Sequence, residues 1–298
     1  NGLIALEEGV IKPTTRYHCI DGYHFGDLHV KCHCESGSVN LRESISFSCN
    51  NYHCNIFKRT LDKFSSSSDG LDRWKTHVKS FGLGNYLGVD FISGRKGFVP
   101  DSYFYNKYYK NNRWKAPTII SLAIGQGELG VTPIQLANMT AAIANRGYWY
   151  IPHIVKSIAD NKIDSIKFKT RNHTTISANN FEIVIKGMRD VFEIGTAKNS
   201  KIMGIDIAGK TGTAQNPSGQ DHSIFIAFAP IKDPQIAIAV IIENGYWGSR
   251  WAAPIASLMI ESYISKQSSR KDLEYKMITG SLAKEYNVTS VETPLPEY

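Results

Sequence analysis

The stretch "GIDIAGKTGTAQ", residues 204–215, decides how the C-terminal half of the chain is interpreted. It contains G-x-x-x-x-G-K-T, the pattern of a P-loop, which binds phosphate only if its middle residues form an open loop and its Lys-Thr pair begins a helix. Residues 205–208 are instead "IDIA", which favours a strand, and the "NPSG" of residues 216–219 would break a helix at once. We therefore predict a strand over residues 203–215 that carries the Lys-Thr-Gly-Thr sequence.

The residues that follow complete a sheet. "SIFIAFAPIKDPQIAIAVIIEN", residues 223–244, consists of two apolar runs joined by Lys232-Asp233-Pro234, which predicts an antiparallel hairpin buried on both faces. "AAPIASLMIESYISK", residues 252–266, returns to helical periodicity after Pro254.

A long and mostly helical half precedes this sheet. Its clearest helix starts at Thr132, an N-cap residue followed by Pro133 at the first helical position and Gln135 three residues after the cap. Gly147 marks its expected end. Helices before and after three strands predict an α+β fold in which an antiparallel sheet is flanked by helices on both faces.

Composition sets the outer limits. The chain has 298 residues and 42% hydrophobic content, which is enough for a substantial core. Its net charge of +7 comes from scattered Lys and Arg without a basic run interleaved with aromatic residues, so nucleic-acid binding is not indicated. No apolar run reaches the ~18 residues of a membrane span. We predict one domain over residues 1–265 and a loosely ordered tail over 266–298, where charge and Pro replace apolar periodicity.

Two short motifs carry a family resemblance. Ser48-Cys49-Asn50 in "SISFSCNNYH" and Lys210-Thr211-Gly212 resemble the S-x-N and K-T-G motifs of penicillin-binding proteins and serine β-lactamases. The segments "LAIGQGELGVTPIQLANMTAAIANRGYWYIPHIV", "GKTGTAQN", "IAFAP" and "ENG" are similar to the transpeptidase domain of the penicillin-binding protein 2 class, the elongation-type enzymes that cross-link peptidoglycan. The resemblance covers residues 1–265 and implies a serine β-lactamase/transpeptidase-like fold.

The nucleophile of this superfamily is the serine of an S-x-x-K motif. In this class that motif precedes an "ALAALEEGVI"-like helix, and here the chain starts at "NGLIALEEGVI", so the resemblance implies a catalytic serine just before Asn1. Ser93-Gly-Arg-Lys96 and Ser268-Ser-Arg-Lys271 also fit the pattern. Neither has the buried helical setting that would make its lysine a general base, so we expect neither to be the nucleophile.

The resemblance assigns roles to three catalytic residues. Ser48 is expected to relay a proton toward the leaving amine, and Asn50 is expected to hold the amide of the acyl donor. Lys210 supplies a positive charge near Ser48 and the substrate carboxylate. In the reaction that the family catalyses, a serine attacks the carbonyl of the penultimate D-alanine of a stem peptide, D-alanine leaves, and an amine takes the acyl group.

Three further residues are expected to bind substrate. Thr211 and Thr213 offer hydroxyls to the carboxylate, Gly212 keeps the strand face clear, and the Thr213 N–H forms half of an oxyanion hole. The implied ligands are peptidoglycan stem peptides and β-lactams, and the implied partners are membrane proteins of the elongation complex. The implied location is the periplasmic or other extracytoplasmic side of a membrane-anchored protein. The alternative is a non-catalytic sensor or scaffold domain of the same fold, and a β-lactamase is a weaker third reading.

Residues 1–56 hold all five cysteines and five of the nine histidines. Disulfides would suit an oxidising compartment, whereas mixed Cys and His at close spacing suits tetrahedral zinc. Some members of the penicillin-binding protein 2 class have a structural zinc that includes the cysteine of the S-x-N motif, so the resemblance favours zinc. The predicted ligands are Cys19, Cys32, His33 and Cys49, with Cys34 as the substitute because adjacent residues share one metal only with a bent backbone.

Overall fold

The computed structural model describes residues 1–34, 36–90, 94–109, 113–158, 161–162 and 166–285. In this part of the chain no helix is long and apolar enough to cross a membrane.

The largest sheet has three antiparallel strands in the order β11 (Ile236–Ile242), β10 (His222–Ala229) and β9 (Ala208–Ala214). In β10 and β11, Ala229 pairs with Ile236 and Ser223 with Ile242, which confirms the predicted hairpin. The strands are β1 (Tyr17–Cys19), β2 (Gly22–Phe25), β3 (Leu28–Lys31), β4 (Gly37–Val39), β5 (Tyr148–Trp149), β6 (Ser157–Ile158), β7 (Asn161–Lys162), β8 (Asn172–His173), β9 (Ala208–Ala214), β10 (His222–Ala229) and β11 (Ile236–Ile242).

The helix predicted from Thr132 is confirmed. The Thr132 hydroxyl accepts a hydrogen bond from the Gln135 N–H, and the Gln135 side chain accepts one from the Thr132 N–H. The α-helices are α1 (Gly2–Glu7), α2 (Leu41–Ser46), α3 (Asn50–Asp62), α4 (Ser67–Ser80), α5 (Ser102–Tyr108), α6 (Pro133–Ala144), α7 (Ile166–Lys169), α8 (Phe181–Glu193), α9 (Ala252–Ser265), α10 (Lys271–Thr279) and α11 (Leu282–Glu285), with a 3₁₀ segment at Ala116–Ile124.

Both faces of β10 are covered. Phe225 and Phe228 point to opposite faces because successive strand residues alternate, and both are 0% exposed. On one face Phe225 meets Phe192 of α8 edge-on, with ring centroids 5.6 Å apart. Helices α6 and α9 also pack against β10 and β11. The predicted α+β class, an antiparallel sheet flanked by helices, is confirmed.

A buried carboxylate ties α1 to the helices around it. The Glu8 side chain is 6% exposed and accepts hydrogen bonds from Lys63 (2.8 Å), Arg73 (2.7 Å) and His77 (2.9 Å). Burial alone would raise the pKa of Glu8, but hydrogen bonds from Lys63, His77 and Arg73 outweigh it and lower the pKa to about 2. The carboxylate therefore stabilises the fold in its charged form.

We predicted a loosely ordered tail over residues 266–298. The first part of that segment is instead helical, because α10 and α11 lie within it. The segment that follows α9 is bound to that helix through Glu261. The Glu261 carboxylate accepts hydrogen bonds from Ser268 (3.0 Å), Ser269 (2.6 Å) and Arg270 (2.8 Å). Glu261 is buried, so these partners satisfy a carboxylate that would otherwise be costly. Residues 286–298 lie outside the described part of the chain.

Candidate active site

The turn between α2 and α3 presents Ser48. This residue has a φ of 56°, a left-handed conformation that is uncommon for a side chain other than glycine. The turn is closed by a hydrogen bond of 2.9 Å from the Cys49 N–H to the Ser44 carbonyl. It leaves Ser48 partly exposed while Cys49, the next residue, is fully buried. Strained backbone at a polar residue is common in functional sites.

Helix α8 holds this turn over the sheet. Arg42 on α2 donates a 2.9 Å hydrogen bond from Nη2 to Asp190 on α8, and the Ser46 hydroxyl lies 3.3 Å from the Gly187 carbonyl. A Cβ atom on Gly187 would come within 3.0 Å of the Arg42 carbonyl, so the two helices approach closely there. Because α8 also packs against β9, α2 and β9 share one support.

The central contact joins residues 162 positions apart. The Lys210 ammonium on β9 donates hydrogen bonds of 2.8 Å to the Ser48 hydroxyl and 2.8 Å to the Thr211 carbonyl. Burial lowers the pKa of Lys210 from 10.5 to about 8, because a charged ammonium loses hydration there. The structure therefore brings together two of the predicted catalytic residues. The lysine of this pair can release its proton at a pH near 8.

The third predicted catalytic residue lies beside this pair and is partly engaged. The Asn50 side-chain amide donates a 2.8 Å hydrogen bond to the Lys31 carbonyl, and its backbone N–H donates to Cys32 Sγ at 3.2 Å. These bonds fasten the start of α3 to the end of β3. The amide NH₂ group has a second proton with which it can meet a ligand.

The backbone carbonyl of Thr213 is directed toward the open edge of β9, away from β10. Gln126, between Gly125 and Gly127, brings its side-chain nitrogen to 3.5 Å from the Thr213 carbonyl, and its Oε1 accepts from the Gln215 N–H at 3.4 Å. In an antiparallel strand the N–H and C=O of one residue share an edge. The Thr213 N–H therefore points to the open edge of β9, as an oxyanion donor must.

The other two predicted substrate-binding residues are placed differently from each other. The Thr211 hydroxyl lies 2.8 Å from that of Thr196, just after α8. The backbone of Gly248 packs closely on β9 beside Gly212, because a Cβ atom on Gly248 would lie 2.5 Å from the Gly212 carbonyl. A Cβ atom on Gly212 itself would meet the Ile224 side chain of β10 at 3.3 Å. The role of Gly212 in keeping the strand face clear for substrate stays a prediction.

Sequence reasoning missed His53, which lies one turn after Asn50 on α3. Burial lowers the pKa of His53 well below its usual value, and the positive charge of Lys210 adds to the effect. His53 is therefore a neutral imidazole close to the Lys210 ammonium. Its spacing of three residues from Asn50 was the available signal, because positions i and i+3 of a helix share a face.

The S-x-x-K sequences of the described residues lie apart from this site. Ser268 donates to Glu261, and Lys271 pairs with Glu274 at 2.7 Å. A further match missed by the sequence reasoning, Ser281-Leu-Ala-Lys284, caps the short helix α11. Ser93 lies outside the described residues.

A cluster of thiols sits directly below the Ser48 turn. The Sγ atoms of Cys19, Cys32, Cys34 and Cys49 all lie within 4.8 Å of one another. The distances are 3.0 Å for Cys32 to Cys34, 3.7 Å for Cys32 to Cys49 and 3.7 Å for Cys34 to Cys19. A disulfide needs about 2.05 Å, and the cysteines are free. The fifth, Cys54, is buried and outside the cluster.

The thiol cluster differs from the predicted ligand set at one residue. Cys34, the residue named as substitute, is in the group, whereas the His33 ring packs edge-on against Trp247 with centroids 5.2 Å apart. Beyond the end of β3 at Lys31, the side chains of Cys32 and Cys34 meet with their Sγ atoms 3.0 Å apart, while the ring of His33 between them contacts Trp247. The thiols of Cys32 and Cys34 therefore both lie in the group.

Comparison with known proteins gives one family. Residues 1–261 match the model of the penicillin binding protein transpeptidase domain. The chain is 31% identical over 261 residues to the peptidoglycan D,D-transpeptidase MrdA of Acinetobacter baumannii, covering 82% of this chain and 37% of that protein. The chain thus spans little more than a third of the length of that curated relative.

Solved structures of penicillin-binding proteins share the fold. Pseudomonas aeruginosa PBP2 in complex with WCK 5153 superimposes with a TM-score of 0.76 at 31% identity, covering 88% of this chain and 56% of that one. Helicobacter pylori PBP2, in a complex with MreC, gives a TM-score of 0.73 at 25% identity over 89% of this chain and 48% of that one.

Proposed function

The chain belongs to the penicillin-binding protein transpeptidase domain family, and we propose that it performs the acyl-transfer step of peptidoglycan cross-linking. The observation that carries the proposal is the 2.8 Å hydrogen bond between Lys210 and Ser48 at the open edge of β9. The proposed substrate is a stem peptide that ends in D-alanyl-D-alanine. β-Lactams, which acylate the same kind of site, are the proposed inhibitors.

The substrate would bind as an added strand. β9 is the edge strand of its sheet, and a peptide can pair with an open edge through main-chain hydrogen bonds. The outward N–H of Thr213 would then meet the scissile carbonyl oxygen, and such an oxyanion donor is worth about 3 kcal/mol. Lys210 and the Thr211 hydroxyl, which are 3.4 Å apart, would face the terminal carboxylate.

The proton path runs through Ser48. When a serine nucleophile attacks the carbonyl carbon, its proton must leave, and the amine of the departing D-alanine must gain one as the C–N bond breaks. Ser48 can accept a proton on one side and donate its own on the other, and Lys210 holds its hydroxyl oriented. The nucleophile itself, a serine of an S-x-x-K motif expected before Asn1, stays a prediction from the family resemblance.

Labelling with a fluorescent penicillin tests this function. The native polypeptide that contains residues 1–298 should become acylated at a single serine, followed by slow hydrolysis, and peptide mapping by mass spectrometry should identify that serine. Acylation that maps to Ser48 would reassign Ser48 from proton relay to nucleophile. Failure of several β-lactam classes to acylate the protein would contradict the transpeptidase proposal.

We also propose that the four thiols hold a structural zinc ion. Tetrahedral zinc with Zn–S bonds of about 2.3 Å places its sulfurs ~3.8 Å apart. Two of the Sγ–Sγ distances given above are 3.7 Å, and the third, from Cys32 to Cys34, is shorter at 3.0 Å. The backbone N–H of Asn50 donates to Cys32 Sγ, as is common around zinc thiolates. Bound zinc would neutralise thiolate charge and link the ends of β1 and β3 to Cys49, which lies between Ser48 and Asn50.

Elemental analysis distinguishes the zinc proposal from a packing role. Protein purified without chelator should contain about one tightly bound zinc per chain, and Cys49→Ser should lose it. Cys54→Ala is the matched control, because Cys54 is equally buried on α3 but outside the cluster. A Cys19 to Cys32 disulfide in metal-free protein, or zinc retained by Cys49→Ser, would contradict the proposal.

Partners and location follow from the proposed reaction. Peptidoglycan lies outside the cytoplasmic membrane, so we propose that this domain acts on the extracytoplasmic side as part of a membrane-associated protein. The H. pylori relative forms a complex with MreC, which supports a proposed elongation-complex partner of that type for this chain. Co-purification of an MreC-type protein from the source cells after crosslinking tests this, and its absence at crosslinking efficiencies that capture other envelope partners would count against it.

A further inference from the structure

A second group of metal-binding side chains lies on the hairpin of β2 and β3. His24 and His29 are directly opposite each other in the strand register. Their rings stack with centroids 4.2 Å apart and planes 12° from parallel. Asp21 lies just before β2, with one carboxylate oxygen 2.7 Å from His24 Nε2 and the other 3.8 Å from His29 Nε2. Three potential ligand atoms therefore converge within 4.8 Å.

We propose that Asp21, His24 and His29 form a second, exchangeable site for a zinc ion. Zn²⁺ binds imidazole nitrogen and carboxylate oxygen at about 2.0–2.2 Å, which places tetrahedral ligand atoms ~3.4 Å apart. The observed distances of 2.7 and 3.8 Å lie on either side of that value, so small rotations of exposed side chains complete the geometry. Two imidazoles favour zinc over Mg²⁺ or Ca²⁺, which prefer oxygen ligands.

The hairpin holds the three groups in place. A two-residue turn at Gly26 and Asp27 joins β2 to β3, and Gly26 has the positive φ of 57° that such tight turns favour. The turn fixes the register that sets His24 against His29. At the other end of the hairpin, the Cys32 N–H donates a 2.8 Å hydrogen bond to the Asp21 carbonyl. The position of Asp21 is thereby tied to the backbone of the thiol cluster.

This second site is chemically different from the thiol cluster. Its side chains are open to solvent, with 54% of His24, 41% of His29 and 58% of Asp21 exposed, whereas three of the four clustered cysteines are buried. Three protein ligands in water leave a coordination position for a solvent molecule. The site is therefore suited to weak and reversible binding, next to a cluster suited to permanent binding.

Equilibrium dialysis at several buffered Zn²⁺ concentrations, followed by elemental analysis, tests the proposal. Wild-type protein should bind one zinc tightly and a second more weakly. The double substitution His24→Gln and His29→Gln should weaken the second site by at least about 100-fold, the upper end of what loss of a supporting group costs a metal site. His173→Gln, at another exposed histidine on a strand, is the matched control and should retain both zinc ions.

Two further measurements make the outcome decisive. The Cys49→Ser variant should keep the weaker zinc, because that ion does not use the thiols, and this separates the inference from the structural-zinc proposal. Circular dichroism of the double variant verifies folding. A wild-type protein whose only zinc is lost with Cys49→Ser would overturn the second site. So would a weak zinc that the His24 and His29 substitutions leave unchanged.

Discussion

Replacement of Lys210 by methionine separates catalysis from stability. Methionine retains the length and apolar volume of the lysine stem but removes the ammonium that donates to Ser48 and Thr211. Loss of one preorganised electrostatic contact in an active site typically costs 10²–10³-fold, about 2.7–4 kcal/mol of transition-state stabilisation. We therefore expect the acylation rate constant of the native polypeptide with a fluorescent penicillin to fall by on the order of 10²-fold.

The stability of the same variant should not fall with its activity. Burial lowers the pKa of Lys210 from 10.5 to about 8, so the charged form costs the folded state up to ~3 kcal/mol near neutral pH. Partial exposure of the side chain reduces that cost, and loss of two hydrogen bonds to neutral acceptors costs the variant about 1 kcal/mol each. These contributions nearly cancel. We expect Lys210→Met to unfold within about 1 kcal/mol of wild type at pH 7.

The pH dependence of unfolding provides the signature. Between pH 8 and 10.5 the unfolded chain still binds the Lys210 proton that the folded protein has released, so this group makes wild-type stability rise with pH. Lys210→Met should lack that contribution in urea titrations at pH 7, 8.5 and 10. Near-normal acylation by the variant would remove Lys210 from the site. A loss of more than about 2 kcal/mol at pH 7 would show that Lys210 is chiefly structural.

The remaining predictions concern the pH profile, the buried carboxylate and the sheet face. Wild-type acylation should slow as pH rises through about 8, where Lys210 loses its charge, and stopped-flow penicillin binding would measure this; a flat profile to pH 10 would contradict it. Glu8→Ala should destabilise by about 1–3 kcal/mol in urea unfolding, because it leaves the buried His77 side chain without its carboxylate partner and removes the ion pairs of the partly exposed Lys63 and Arg73. Because the pKa of Glu8 is about 2, wild type should lose this stabilisation as pH falls from 4.5 toward 2, and an acid profile identical in the variant would refute the assignment. Gly248→Ala should cost about 1–3 kcal/mol and slow acylation, because its Cβ would overlap the backbone of β9. Gly94→Ala should match wild type in both assays, because its Cβ would meet only the Tyr86 ring, at an ordinary contact distance of 3.8 Å.

Local features of the chain were determined by the sequence. The hairpin of β10 and β11 follows from two apolar runs separated by Lys232-Asp233-Pro234, and the start of α6 follows from the Thr132 cap. Both are short-range patterns whose hydrogen bonds and turns involve residues close in the chain. The family resemblance rested on motifs of this kind, and the match over residues 1–261 confirms it.

Tertiary structure decided what the site contains. The Lys210 to Ser48 bond spans 162 residues, and only the packing of α2 and β9 on the shared helix α8 creates it. The contact of the Thr213 carbonyl with Gln126, a residue 87 positions away, shows that the polar backbone groups of Thr213 face the open edge of β9. The choice of Cys34 over His33 depended on which side chains of the segment after β3 face the other thiols.

The same limit applies to the second metal group and to the chain end. His24 and His29 are five residues apart, and they meet because a two-residue turn sets them opposite each other. The segment from Ser268 lacks apolar periodicity, yet it is held on α9 because the buried Glu261 needs hydrogen-bond donors. Sequence patterns report the neighbours of a residue along the chain. Burial, charge compensation and alternation across a surface determine which distant residues meet, and these exist only once the chain has folded.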